Sequence, residues 1–328
     1  PQSTGIDMRH SGRQSIPVCD FADFQSEDAE RRARFIQEMG DALKDIGFFA
    51  LENHGIPLDD INSAYSEAKD FFTLDGDAKS AYEQKDINRQ RGFTGFGVEH
   101  AKGNPAPDLK EFWQTGRVLG EEHPSFDSFP QNIWPTEDCP DFEQAVDGLY
   151  EKMEGLAQFL LSAASEYLSK EVEWLPLMAN DGNTILRLIH YPPVPEDADP
   201  QSVRSAAHED INLITLLVGA TADGLEVMDH DGGWIQVEAN HNHIIVDSGD
   251  MLQNLTNGLF KSTTHRVVNP DNSRNRRFSM PMFVHPRDEV DLTPDEELVS
   301  VTGGEALYDS ITAGEYLYQR LVEIGLTS

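Results

Sequence analysis

Cysteine is nearly absent: the 328 residues hold only Cys19 and Cys139. Two thiols are too few for a disulfide framework, and their separation fits no metal-binding spacing, so a reducing compartment is expected. Cations are scarce too, with 25 Lys and Arg against 58 Asp and Glu, a formal net charge of −33. That field opposes nucleic acid and anionic membrane as partners. Lysine is the rarer cation, and an acid-rich, lysine-poor surface suits high salt as well as ordinary solubility. No stretch approaches the ~18 apolar residues of a membrane span, and residues 1–15 are polar rather than leader-like. The chain is expected to work in the cytoplasm on a small-molecule substrate; its oligomeric state stays open.

What is present describes a globular protein: 38% apolar, 25% charged and no long low-complexity tract. The first half reads as helices around short strands. Phe35, Met39 and Leu43 give a helix over 28–44 one buried stripe, and strands are expected at 15–21 and 47–57, with a second helix over 58–73. Residues 86–110 carry Gly92, Gly95, Gly97, Gly103, Pro105 and Pro107 and read as irregular loop. Val146, Leu149, Met153, Leu156, Leu160 and Ala163 step by three and four, marking a long helix over 142–168 that packs against something large. From about Asn183 short β-type runs alternate with turn clusters such as "DHDGG" and "NPDNSRN", which points to a sandwich or closed jelly roll. A helix over about 312–325 closes the chain.

Eleven histidines need sorting. His10, His123, His230 and His241 sit in polar or turn-rich contexts, where a solvated role is the default. His54 in "ENHGIP" follows a strand and is expected to bond backbone at a turn. His208 differs: in "SAAHEDINLITLLVGA" it opens an apolar run with Asp210 two residues on, and side chains at i and i+2 of a strand share a face. A satisfied His–Asp hydrogen bond is one reading of that pair. A metal site is the other, and it needs a third ligand. His265, in the β-branched run "KSTTHRVVNP", can supply it, completing the two-histidine, one-carboxylate set of non-haem Fe(II) sites. Zinc accepts the same donors. Twelve residues further on, Arg277 and Ser279 in "RFS" share a strand face on which a guanidinium fork and a hydroxyl can grip a carboxylate. Phe283 falls on that face as an aromatic wall.

Together these residues resemble the Fe(II)/2-oxoglutarate-dependent dioxygenases of the isopenicillin N synthase-like family. "HED" at 208–210, "GDMLQNLTNGLFKSTTHRV" at 249–267 and "RFSMPMF" at 277–283 carry the resemblance. Upstream, "IPVCDF", "GFFALENHGIP", "RGFTGFG", "DLKEFW" and "RLIHYPP" extend it, so that it spans roughly residues 15–286. It implies a mostly β chain with helices: a double-stranded β-helix core, braced by the helix over 142–168, behind an N-terminal α/β region. Residues 1–118 are expected to form that region, with a loop over the active site, and residues 119–328 the oxygenase core.

The resemblance also implies His208, Asp210 and His265 as ligands of Fe(II), and Arg277, Ser279 and Tyr191 as the seat of 2-oxoglutarate, with O2 as the second cosubstrate. Oxidative decarboxylation to succinate would then drive oxidation of the substrate. Many members carry Asn two residues before that tyrosine; here Ile189 replaces it. A 2-oxoglutarate-independent oxidase of the isopenicillin N synthase type, and a metal-binding or sensor barrel without turnover, stay open as alternatives. For the primary substrate, Arg91 in the glycine-rich loop is expected to hold an anionic group, beside apolar walls from Phe93 and Phe283.

Overall fold

The structure is a computed structural model and describes every residue except 1–10, 14, 100–105, 200–201, 219, 222, 239, 270–274 and 324–328. His10 therefore lies outside the described residues. The chain opens with β1 (Val18–Asp20), the helices α1 (Phe21–Phe24) and α2 (Ala29–Asp45), and β2 (Phe48–Glu52). Then follow α3 (Leu58–Thr73), α4 (Gly76–Ser80), β3 (Gly92–Thr94), β4 (Glu111–Gly116), α5 (Phe142–Tyr167) and α6 (Trp174–Ala179). The β-rich half holds β5 (Ile185–Tyr191), β6 (Ser205–His208), β7 (Ile214–Val218), β8 (Leu225–Met228), β9 (Trp234–Gln236) and β10 (Ile244–Ser248). It ends with α7 (Asp250–Leu255), β11 (His265–Val267), β12 (Arg277–Val284), α8 (Glu296–Val301) and α9 (Ala313–Glu323).

The strands form two sheets, one of eight in the order β1-β2-β10-β7-β12-β5-β4-β3 and one of four in the order β6-β11-β8-β9. These are the two layers of the expected jelly roll. The early strands extend both edges of the large sheet, whose centre comes from residues 185–284.

Strand alternation assigns each face of the large sheet. Leu186, Leu188, Leu216, Val218, Met280 and Met282 point to the helix side and share one core with Phe35, Met39, Phe71, Met153 and Leu160. That core is why α5 can be 26 residues long: its apolar stripe covers the back of the sheet. Burying each such side chain contributes about 1.5–3 kcal/mol. A smaller core of Phe48, Ala50, Leu225, Val227, Ile235 and Ile245 glues the two sheets together. At the start of α2, Asp28 accepts the Glu30 N–H at 3.0 Å and caps the helix.

Two readings of the sequence change. Residues 86–110 are not loop throughout, because Gly92–Thr94 pairs with β4 as an edge strand. The apolar run 205–220 is not one strand. β6 ends at His208 and belongs to the small sheet, whereas β7 begins at Ile214 in the large one. Asp210 thus lies past the end of β6, in the connection between the sheets. Its i,i+2 spacing from His208 on one strand face is not what brings the two together.

Candidate active site

Between the sheets lies a cavity of about 940 Å3. The face of the large sheet opposite the helices supplies its wall: Arg187, Ile189 and Tyr191 from β5, and Arg277, Ser279 and Phe283 from β12. Leu317, Tyr318 and Leu321 of α9 close one side.

His208, Asp210 and His265 meet in this cavity, with one ligand atom from each lying within 4.8 Å of the others. β6 and β11 are paired with His265 opposite His208, which brings the imidazole centroids to 4.4 Å. Asp210 Oδ1 lies 3.3 Å from His265 Nε2 and 3.7 Å from His208 Nε2. Each ring faces a backbone carbonyl with Nδ1, His208 toward Ala206 O at 2.7 Å and His265 toward Thr263 O at 3.0 Å. A carbonyl only accepts, so both Nδ1 atoms carry the proton and both Nε2 atoms are left for a metal.

The three groups are electrostatically coupled: burial alone would lower the His265 imidazole, but the Asp210 charge raises it. Burial and the neighbouring His265 push the His208 imidazole down to about 4, keeping it neutral. Burial alone would raise Asp210, but attraction and hydrogen bonding from His265 hold it well below the usual carboxylate range. Asp247, buried beside it, goes the other way: desolvation, then the Asp210 charge, raise its carboxyl well above normal. Two imidazoles and one ionised carboxylate with open positions opposite are the donor set of non-haem Fe(II).

Arg277 and Ser279 are both buried on the cavity face of β12. Arg277 pairs in register with Tyr191, and its guanidinium lies 4.9 Å from the tyrosine ring centre. Ile189, the departure from the family pattern, stands opposite Ser279 and packs with Phe112, Tyr191 and Val267. It gives this end of the cavity an apolar rung in place of an amide.

The residues expected at the substrate end divide. Phe283 lines the cavity. Arg91 is fully buried in its wall, donating to Gln90 O at 2.9 Å and to Asn183 Oδ1 at 3.2 Å. Phe93 does not line it; its ring packs into the helix-side core against Phe71, centroids 5.9 Å apart. Gly92 is the reason: its φ of +82° breaks the alternation that would put Arg91 and Phe93 on one face. His54 accepts the Ile56 N–H on Nδ1 at 3.1 Å, the turn role expected for it.

Two family models match the chain. One, described as the N-terminal region of non-haem dioxygenases in morphine synthesis, covers residues 16–137, and that of the 2OG-Fe(II) oxygenase superfamily covers residues 182–286. The 2-oxoglutarate-Fe(II) type oxidoreductase hxnY of Emericella nidulans is 30% identical over 276 residues, 81% of this chain and 78% of its own. Proline hydroxylase buaE of Petromyces alliaceus is 31% identical over 318 residues, covering 93% of this chain and 98% of its own. The chain belongs to the 2OG-Fe(II) oxygenase superfamily. Among solved structures, a 2OG-Fe(II) oxygenase family protein from Caulobacter crescentus superposes with a TM-score of 0.84 at 38% identity, over 95% of this chain and all of its own. A Neurospora crassa protein crystallised with alpha-KG gives 0.84 at 26% identity, over 97% and 99%. This oxygenase is an Fe(II)/2-oxoglutarate-dependent oxidoreductase that uses O2.

Sequence reasoning missed several residues of the oxygenase's cavity. Asp247 had a signal, a carboxylate inside the apolar run of β10. Arg187 had one as well, four residues before Tyr191 on the same face of β5. Its guanidinium lies 4.0 Å from the Phe112 ring centre and 5.5 Å from that of Phe283, and it pairs with Glu99 at 3.2 Å. Lys110 also reaches Glu99, at 3.5 Å. Burial opposes ionisation of Glu99, but Arg187 and Lys110 outweigh it and hold the carboxyl at about 2.

A depressed carboxyl contributes stability above its unfolded pKa and loses it as pH falls through the folded value. Denaturant titrations of the native chain and Glu99→Gln between about pH 6 and about pH 3 should therefore show the native advantage shrinking by about 2 kcal/mol. A pH-independent difference would remove Glu99 from the acid response.

Proposed function

We propose that His208, Asp210 and His265 are the protein ligands of one Fe(II), and that Arg277 and Ser279, helped by Tyr191, hold the far carboxylate of 2-oxoglutarate. The oxygenase then oxidises a C–H bond of a small organic molecule in the same cavity. The observation carrying this reading is the convergence of both residue sets, from four strands and the connection after β6, on one cavity. Bound Fe(II) supplies the open positions at which 2-oxoglutarate and O2 react, giving succinate, CO2 and the oxidising equivalents for the substrate. The protein's own part is geometric. Ala206 O and Thr263 O fix the two imidazoles, Asp210 stays ionised, and Arg277 orients the cosubstrate. Ile189, Phe283 and Leu317 of α9 give the cavity apolar walls.

Protein reconstituted anaerobically with Fe(II) is expected to bind 2-oxoglutarate and to release succinate on admission of O2. Release should quicken with a substrate found among amino acids, peptides or small metabolites. Failure of the iron-loaded protein to bind 2-oxoglutarate would transfer the assignment to a 2-oxoglutarate-independent oxidase.

A cavity of this volume suits a small or medium ligand. The net charge of −33 argues against nucleic acid and anionic membrane surfaces, and no helix among the described residues is long and apolar enough to cross a membrane. A cytoplasmic setting fits the two buried, unpaired cysteines. Within the cavity Arg91 is the seat for an anionic group on the substrate. It has hydrogen bonds but no acidic partner among the described residues, and burial brings it down only to about 10, so it stays charged. Gly116 makes its room, since a Cβ there would overlap the guanidinium. With a substrate in hand, Arg91→Gln should raise the substrate KM about tenfold or more and leave the KM for 2-oxoglutarate unchanged. Equal loss for both would mean a collapsed wall instead of a lost contact.

A further inference from the structure

His208 sits on an exposed kind of strand. Among the described residues β6 is the outer strand of the small sheet and pairs with β11, so its other edge offers backbone groups that no described strand takes up. An edge left in that state frays or pairs wrongly. Here the described part of the segment before β4 covers it. Leu109 N–H donates to Val203 O at 3.0 Å, and the Ala206 N–H donates to the side chain of Asp108, on Oδ1, at 3.0 Å. Asp108 is buried, and its second oxygen lies 3.4 Å from Lys110 Nζ. Lys110 in turn reaches Glu99, which Arg187 also holds. Asp108 and Glu99 thus share one ion-pair cluster with Lys110 and Arg187; burial still raises the Asp108 carboxyl, and the Lys110 charge and the Ala206 N–H work against that rise.

Ala206 links this cluster to the metal centre. Its N–H is taken by Asp108, and its carbonyl receives the Nδ1 proton of His208 at 2.7 Å. The hydrogen bond from Nδ1 sets the ring rotation and hence the direction of Nε2.

We propose that Asp108 is a positioning residue for the metal centre: by anchoring the Ala206 amide it fixes the strand edge whose carbonyl aims the His208 ring. This rests on His208 being a metal ligand. The N-terminal half of the chain thereby reaches a ligand carried by the barrel, through one side chain and one peptide group. Loss of an outer partner of a liganding histidine typically lowers metal affinity 10–100-fold.

The test uses the full chain, stripped of metal, with Co(II) as the probe. Calorimetry and the visible Co(II) spectrum are recorded for the native protein, Asp108→Ala, Asp108→Asn and His208→Ala, with amide exchange at Ala206 followed alongside. Asp108→Ala should bind Co(II) about 10–100-fold more weakly, with an altered spectrum and faster exchange at Ala206. Asp108→Asn keeps an oxygen acceptor for that amide and should stay within about threefold of the native affinity. Native affinity in Asp108→Ala would overturn the inference, and so would a loss in Asp108→Asn as deep as in Asp108→Ala. If Asp108→Ala does not fold, Asp108→Asn decides, since a large loss there contradicts the proposal and a near-native value supports it. The His208→Ala arm separates the two readings. Unchanged Co(II) binding there strikes down the ligand assignment itself, whereas its loss beside native binding in Asp108→Ala strikes down only the positioning role.

Discussion

Alanine in place of His208, Asp210 or His265 is expected to abolish iron retention and succinate release while leaving the fold intact. The size of the effect follows from the geometry. Three donor atoms within 4.8 Å of one another are the whole set found among the described residues, so no spare ligand takes over. Loss of a mere outer partner costs 10–100-fold in a metal site, so loss of a ligand should exceed about a hundredfold in affinity. The fold should survive because none of the three belongs to the apolar clusters that join helices to sheet or sheet to sheet. Iron content after anaerobic reconstitution and the melting curve of the metal-free protein measure the two halves of this expectation. Native iron content in both Asp210→Ala and His265→Ala would end the assignment.

Arg277 carries the second large effect. It is buried, lines the cavity beside Ser279 and is held against the Tyr191 ring. A charge-assisted contact contributes about 1.5–3 kcal/mol, so Arg277→Ala should weaken 2-oxoglutarate binding by about one to two orders of magnitude. Arg277→Lys should be little better, because an ammonium has neither the planar face that lies against Tyr191 nor the fork that meets both carboxylate oxygens. Ser279→Ala removes one neutral hydrogen bond and should cost only a few-fold. Anaerobic calorimetry with iron-loaded protein reads all three. Native affinity in Arg277→Lys would show that charge alone suffices and that the fork has no part.

Much of this protein was legible before folding because its strongest signals are periodic or local. The α5 stripe steps with the helix period, Asp28 marks the start of α2, the apolar alternation of β12 marks a strand with one face on a core, and the apolar run of β10 marks one buried on both faces. Such patterns depend on neighbours three or four residues away at most. The proposed site residues were legible for a different reason: two histidines, a carboxylate and an Arg-x-Ser pair in β-type runs have few chemical uses.

Other features depend on chain reversals and contacts between distant segments, which no local period records. The run 205–220 has the composition of one strand, yet it breaks after His208 and crosses to the other sheet, so Asp210 lies in the connection and not on the strand. Gly92 turns Phe93 away from the cavity through a positive φ that its sequence position does not announce. The cluster of Glu99, Asp108, Lys110 and Arg187 draws on two separate segments and forms only when the chain packs onto the barrel wall.

Residue chemistry and short-range spacing were enough to fix the kinds of element, the candidate donor groups and the strongly acidic charge of the chain. Only the packed chain decides which donor groups face one another, that Arg91 is buried in the cavity wall and that Asp108 takes the Ala206 N–H. Those outcomes rest on distances between residues up to about a hundred positions apart, and a distance of that kind is fixed only when the sheets close around the cavity.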